Sequence, residues 1–318
     1  MTKIKLTRQA FLNSIFVFGI IPQDWILHFK DVYKIDEEID RVNIRTFYNL
    51  KQEKFIEVKK ENGKKFVSIN HKGYEKIPHH IQVQIPFIKN QRIPQKIDTN
   101  HNKITFYFLL EVMAIYGIDK IATATTKKAF KITKHKNELK PDVALRFNGS
   151  KYNSFYCLES DTGTENNLDI FDKLLRYFHF AKSNFDGEDV ESLEVFFLVQ
   201  SKERQKALFE FLPNQKQRHY LKYFDDEILK FKTDKRNKET INTSEVLDIL
   251  ESGKVKFHCG IFGEGLDSFT QVKLKELIRL SRAIGKTPEM ERQENRKHQR
   301  TQPTEEQKRR LAIDIFAE

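Results

Sequence analysis

Asp142, Glu159 and Asp161 are the side chains in this sequence whose types and spacing point to shared chemistry. Pro141 opens a run in which Val143, Leu145 and Phe147 alternate, as a half-buried strand requires. Phe155 to Leu158 is a second apolar run, closed by Glu159 and Asp161. Asn148-Gly149 between the runs is a hairpin turn signal, so the two strands are expected to be antiparallel. The start of one then lies beside the end of the other, and three carboxylates meet at one rim of a sheet. Carboxylates that close raise one another's pKa unless a cation neutralises them. Mg²⁺ or Mn²⁺ suits such oxygen donors, with waters and a substrate phosphate completing the shell. Lys173, one or two turns into the next helix, supplies a positive charge. A solvated strand end is the competing reading. The joint placement of three acids and a lysine favours the metal site.

The elements that must position these groups are legible on both sides. Thr162-Gly163-Thr164 bends the chain and offers hydroxyls to cap a helix over 166–183, whose stripe is Leu168, Phe171, Leu174, Leu175 and Phe178. Lys173 and Tyr177 are four residues apart and share one side of it, with Tyr177 and Glu165 as supporting members of the site. Leu193 to Val199 is apolar enough for the centre of a sheet. A helix over 202–211 and a strand over 255–262 follow. A helix over 103–116 opens this part of the chain and carries Glu111, either a further supporting acid or part of a polar face. The Lys-rich segment 127–140 fits equally a DNA backbone contact or a solvated loop. The fold class expected is mixed α+β or α/β, a mixed sheet flanked by helices over 101–284.

Residues 1–80 read as a winged helix-turn-helix. A helix from Thr7 to Phe18, a second from Pro22 to Phe29 and a third from Asp36 to Gln52 precede a hairpin turning at Glu61-Asn-Gly-Lys64. The third helix would read the major groove through Arg41, Asn43, Arg45 and Asn49. Lys59, Lys60, Lys64 and Lys65 on the hairpin would touch phosphates. A winged helix used for protein contacts is the alternative. Residues 1–98 hold 18 Lys and Arg against 11 Asp and Glu, so +7 of the chain's net +11 lies there, which favours double-stranded DNA.

Residues 81–100 are expected to be a Pro-containing linker, and 285–318 a charged, poorly ordered tail. His79 and His80 would point opposite ways in extended chain and make poor joint ligands. At 318 residues with 27 Phe and 10 Tyr, the chain can bury a sizeable core in two domains. Cys157 and Cys259 lack metal-ligand spacing and read as reduced thiols, consistent with a cytoplasmic protein. The apolar run 11–21 is too short and too interrupted to span a bilayer, so no membrane partner is expected.

Pro141-Asp142 followed by Glu159-Ser160-Asp161 resembles the PD-(D/E)xK nuclease core. Glu159-Ser-Asp-Thr-Gly-Thr-Glu165, followed by Asp172-Lys-Leu-Leu-Arg-Tyr177, resembles the replication-relaxation family of plasmid proteins, which is similar to MobC-type relaxases. The match covers about residues 100–200, with a weaker match before it. The resemblance implies a restriction-endonuclease-like domain that nicks DNA at a plasmid or integrative-element origin of transfer. It implies Mg²⁺ or Mn²⁺ on Asp142, Glu159 and Asp161, and mobilisation or coupling proteins as further partners. Asp161 stands where the nuclease pattern has Lys, and Lys173 is the replacement from the helix. Nicking rather than double-strand cutting rests on the resemblance alone. The alternatives are a non-enzymatic replication or transcription factor with a degenerate nuclease fold, and a restriction or transposon-end nuclease.

Overall fold

The computed structural model describes residues 6–33, 36–82, 93, 99–117, 120–126, 139–147, 154–163, 165–185, 191–210, 219–232 and 238–285. The Asn148-Gly149 turn, nearly all of the Lys-rich segment, most of the expected linker and the tail after 285 lie outside them.

Helix α1 (Arg8–Phe18) begins where the Thr7 hydroxyl accepts the Ala10 N–H at 3.1 Å. It stops at Gly19, whose φ of 103° disfavours any side chain. The expected second helix from Pro22 is instead a two-residue strand, β1 (Ile21–Pro22), followed by α2 (Asp24–Leu27) and α3 (Phe29–Tyr33). Pro22 has no N–H to donate, and it sits on an edge strand where none is needed. Asp36 caps α4 (Glu37–Gln52), accepting the Glu38 N–H at 2.7 Å. Strands β2 (Ile56–Glu61) and β3 (Lys64–Ile69) turn through Asn62 and Gly63, both at positive φ, as a tight hairpin of this twist demands. The three strands pair in the order β1-β3-β2. Short helices α5 (His71–Tyr74) and α6 (His79–Gln82) follow, so His79 and His80 open a helical turn rather than extended chain.

Helix α7 (Asn100–Tyr116) starts earlier than its apolar periodicity predicts because Thr99 caps it, accepting the Asn102 N–H at 3.2 Å. Then come β4 (Ile121–Thr126), β5 (Val143–Phe147), β6 (Ser154–Asp161), α8 (Asn167–Phe185), β7 (Ser192–Val199) and α9 (Lys202–Phe209). A 3-10 turn at Tyr220–Asp225 leads to β8 (Ile228–Lys232), β9 (Lys238–Asn242), α10 (Thr243–Glu251), β10 (Val255–Ile261), β11 (Thr270–Gln271) and α11 (Leu274–Gly285). The fold is mixed α+β. Its six-stranded sheet runs β11-β10-β7-β6-β5-β4, with β6, β7 and β10 parallel and β5 antiparallel to both β6 and β4.

Period-2 alternation sends the side chains of this sheet to two cores. Val143, Leu145, Leu158 and Leu198 face α7 and the N-terminal elements. Ala144, Phe155, Cys157, Val195 and Phe197 face α8, the 3-10 turn and α11. The first core runs without a break from α1 through α7 to the sheet, so the N-terminal elements and the sheet share buried side chains. The Tyr107 hydroxyl donates to the Trp25 carbonyl across this contact. A Cβ on Gly263 would lie 2.6 Å from the Val32 carbonyl, so glycine alone lets the two halves close there. Cys157 and Cys259 are buried free thiols. No helix among the described residues is long and apolar enough to cross a membrane.

Candidate active site

The register Val143↔Leu158, carried one residue further, sets Asp142 directly opposite Glu159. The Asp142 N–H donates to the Leu158 carbonyl at 3.0 Å, and Asp142 Oδ2 accepts the Ser160 N–H at 2.8 Å. The second carboxylate oxygen, Oδ1, lies 2.8 Å from His101 Nε2. Asp142 is therefore clamped at the sheet rim between β6 and the first turn of α7.

Glu159 is buried on the α8 side of β6. Its Oε1 accepts from the Tyr177 hydroxyl at 2.6 Å, and its Oε2 lies 3.1 Å from Lys173 Nζ. The same ammonium donates to Glu165 Oε1 at 2.6 Å. Positions 173 and 177 are one turn apart, so α8 presents a cation and a phenol to one carboxylate. Helix α8 holds them in place because Asn166 caps it, accepting the Leu168 and Asp169 N–H groups at 2.9 and 3.0 Å. The cap was expected from the hydroxyls of Thr162 and Thr164, of which Thr164 lies outside the described residues.

The electrostatics follow from burial. Glu159 has a raised pKa because burial penalises its charge; Lys173 pulls it down and Asp142 pushes it up. Burial disfavours the Lys173 ammonium, but Glu159 and Glu165 more than offset this and hold its pKa above the ordinary lysine value. Burial and then Glu159 raise the Tyr177 phenol, so it stays protonated and donates.

Asp161, expected in the metal set, is engaged by other groups. Its carboxylate is 0% exposed, with Oδ2 accepting from Arg204 Nε at 2.6 Å and Oδ1 from the Gly163 N–H at 2.8 Å. Arg204 also donates to the Glu165 carbonyl at 3.0 Å. Asp161 and Arg204 thus pin the bend that delivers Glu165 to Lys173. Glu111 is elsewhere too. It stands ten residues along α7 from His101, on the order of 15 Å by helix rise, and accepts the Leu266 N–H at 2.7 Å.

Among the described residues no three His, Cys, Asp or Glu side chains form a ready-made metal cage. The residues present nevertheless fit a hydrated hard ion, which needs only one or two carboxylates. Asp142 and Glu159 face one another, and Glu165 Oε2 is buried without a hydrogen-bond partner among the described residues.

In the N-terminal unit, Arg41 and Arg45 are exposed on α4 and Asn49 is half-buried. Arg41 lies 3.7 Å from Glu37. Asn43 points inward: it is buried, and its Oδ1 accepts the Leu6 N–H at 2.9 Å, which removes it from any groove-facing surface. Asn43→Ala should therefore cost about 1 kcal/mol in urea unfolding by orphaning that N–H, with DNA affinity unchanged. A loss of affinity without a loss of stability would reverse this assignment. Lys60, Lys64 and Lys65 are exposed on the β2–β3 hairpin, while Lys59 is half-buried 3.1 Å from Glu57.

Two site residues escaped the sequence reading. The apolar periodicity of α7 begins at Lys103 and leaves out His101, whereas Thr99 read as the cap includes it. Arg204 carried no local signal, since its partner is set by the parallel pairing of β6 and β7.

No family model matches the sequence, and no curated protein matches it. Among solved structures the chain is similar to restriction endonuclease FokI bound to DNA, with 13% identity and a TM-score of 0.22 over 63% of this chain. It is similar also to the structure of restriction endonuclease FokI, with 16% identity and a TM-score of 0.21 over 60% of this chain. The chain spans 39% and 36% of those two chains. A likeness of that size carries no argument about activity.

Proposed function

We propose that this chain is a metal-dependent DNA nickase acting at a specific duplex site, of the kind found at a plasmid or integrative-element origin of transfer. The observation that carries the reading is the pairing of Asp142 with Glu159 across two neighbouring strands, with Lys173 Nζ 3.1 Å from Glu159. Two opposed acids and a lysine at a sheet rim are the groups that phosphodiester cleavage asks for. Mg²⁺ or Mn²⁺ held by Asp142 and Glu159, when bound, would polarise the phosphate and activate water. The chain's own groups have separate tasks. Lys173 places fixed positive charge where the phosphate gains negative charge. Tyr177 fixes the rotamer of Glu159, and His101 and the Ser160 N–H fix that of Asp142. Arg204 and Asp161 hold the bend that carries Glu165.

Helices α1 to α4 and the β1-β3-β2 sheet support reading residues 1–80 as a winged helix that docks on the duplex, with Arg41 and Arg45 on the groove-facing side of α4. The test is relaxation of a supercoiled plasmid carrying the DNA adjacent to the gene, with Mg²⁺ or Mn²⁺. Wild type should yield open circles with one mapped end. Asp142→Asn and Glu159→Gln should each slow this by at least about a hundredfold while leaving DNA binding intact. Linear product would favour a double-strand cutter. Full activity in both variants would leave a DNA-binding scaffold only.

A further inference from the structure

The β8–β9 hairpin packs Leu229, Phe231 and Ile241 inward and turns Ile228, Lys230 and Lys232 of one strand outward. The pairing sets Lys232 opposite Lys238 and Lys230 opposite Thr240. No acidic residue stands on the outward face of either strand; Glu239 pairs with Phe231 on the other face. Like charges directly opposed across a ladder repel; Lys232 has the Asp172 carboxylate of α8 beside it, and the outward strand face itself carries no acid. The β2–β3 hairpin repeats the arrangement, with Lys60 opposite Lys65. The β8–β9 hairpin also touches the candidate site's own helix: the Lys232 N–H donates to the Asp172 carboxylate, one position from Lys173 on α8.

We propose that the outward face of β8–β9, through Lys230, Lys232 and Lys238, is a second surface that contacts the phosphates of the duplex. The inference rests on the DNA-nicking reading and names the surface on which the substrate lies. Phosphate contacts of this kind are sequence-independent and reveal themselves in salt dependence, each adding ~0.9 to the slope of log K against log salt.

The experiment measures binding of the metal-free full chain to a short fluorescein-labelled duplex over a range of salt. The Lys230→Ala, Lys232→Ala, Lys238→Ala triple variant should bind at least ~tenfold more weakly at low salt, with a slope smaller by roughly two to three. Lys238→Glu, which turns the opposed pair into an attractive one, should raise the melting temperature while weakening binding. These opposite signs separate a binding face from a merely structural one. Unchanged affinity and slope in both variants, with wild-type nicking intact, would overturn the hairpin's role and leave the nicking reading standing. Wild type that neither binds nor cuts DNA would overturn both.

Discussion

Lys173→Met should abolish nicking and, at the same time, make the fold's stability strongly dependent on pH. The side chain is 12% exposed and neutralises Glu159 and Glu165 at 3.1 and 2.6 Å. Removing a charge positioned for a transition state costs about 10²–10³ in rate. Removing one partner of a buried ion pair costs about 3–5 kcal/mol, because the remaining charge is stranded. The wild-type lysine, with its pKa raised, delivers its stabilisation at every pH below the unfolded lysine value and loses it only as pH rises beyond that. It therefore contributes no pH dependence near neutrality. The dependence comes from Glu159, whose pKa is already raised and rises further without the cation. At acid pH the variant's Glu159 takes up a proton and the penalty shrinks; at alkaline pH the full penalty applies. Urea unfolding at acid and alkaline pH, beside plasmid relaxation, checks both halves. Relaxation within tenfold of wild type would remove Lys173 from the chemistry.

Glu111→Gln should do the reverse and stabilise the protein above neutral pH. Burial drives the Glu111 pKa up to about 7 from an ordinary 4.5, against hydrogen bonds from the Leu266 N–H and Tyr33, with Asp267 adding to the rise. The folded state thus binds this proton more tightly than the unfolded chain. Its contribution is complete below pH 4.5 and is lost as pH climbs through about 7. At 1.36 kcal/mol per unit, the ionised form costs up to about 3 kcal/mol at pH 8. Glutamine keeps an acceptor for Leu266 without the charge. The variant should match wild type at pH 4 and exceed it by up to that amount at pH 8 in urea unfolding. Equal stability at pH 8 would show that water reaches the carboxylate. This role also accounts for an acid on α7 that takes no part at the rim of β5 and β6.

The residues that proved legible in sequence were those positioned by local rules. Asp142 and Glu159 came together because period-2 strands joined antiparallel have only one way to align their ends. Lys173 and Tyr177 came together because four residues make a helical turn. Residues placed by longer-range packing were not legible. Asp161 looks like a third ligand by its spacing from Glu159, yet a parallel neighbour strand brings Arg204 to it from 43 residues away. Asn43 looks like a base-reading side chain on an exposed helix, yet the chain before α1 folds over it. The continuous core between α1, α7 and the sheet was equally hidden, since apolar stripes reveal a buried face but not which element covers it.

That continuous core has a consequence for geometry. Tyr107 bonded to the Trp25 carbonyl, and Val32 seated on Gly263, tie the N-terminal helices to the sheet that bears Asp142 among the described residues. A two-part tool on a slack tether samples many offsets, whereas a one-piece caliper has a single span. If the proposed nicking holds, the cut would fall a constant number of base pairs from the recognised sequence, measured by the protein's own body.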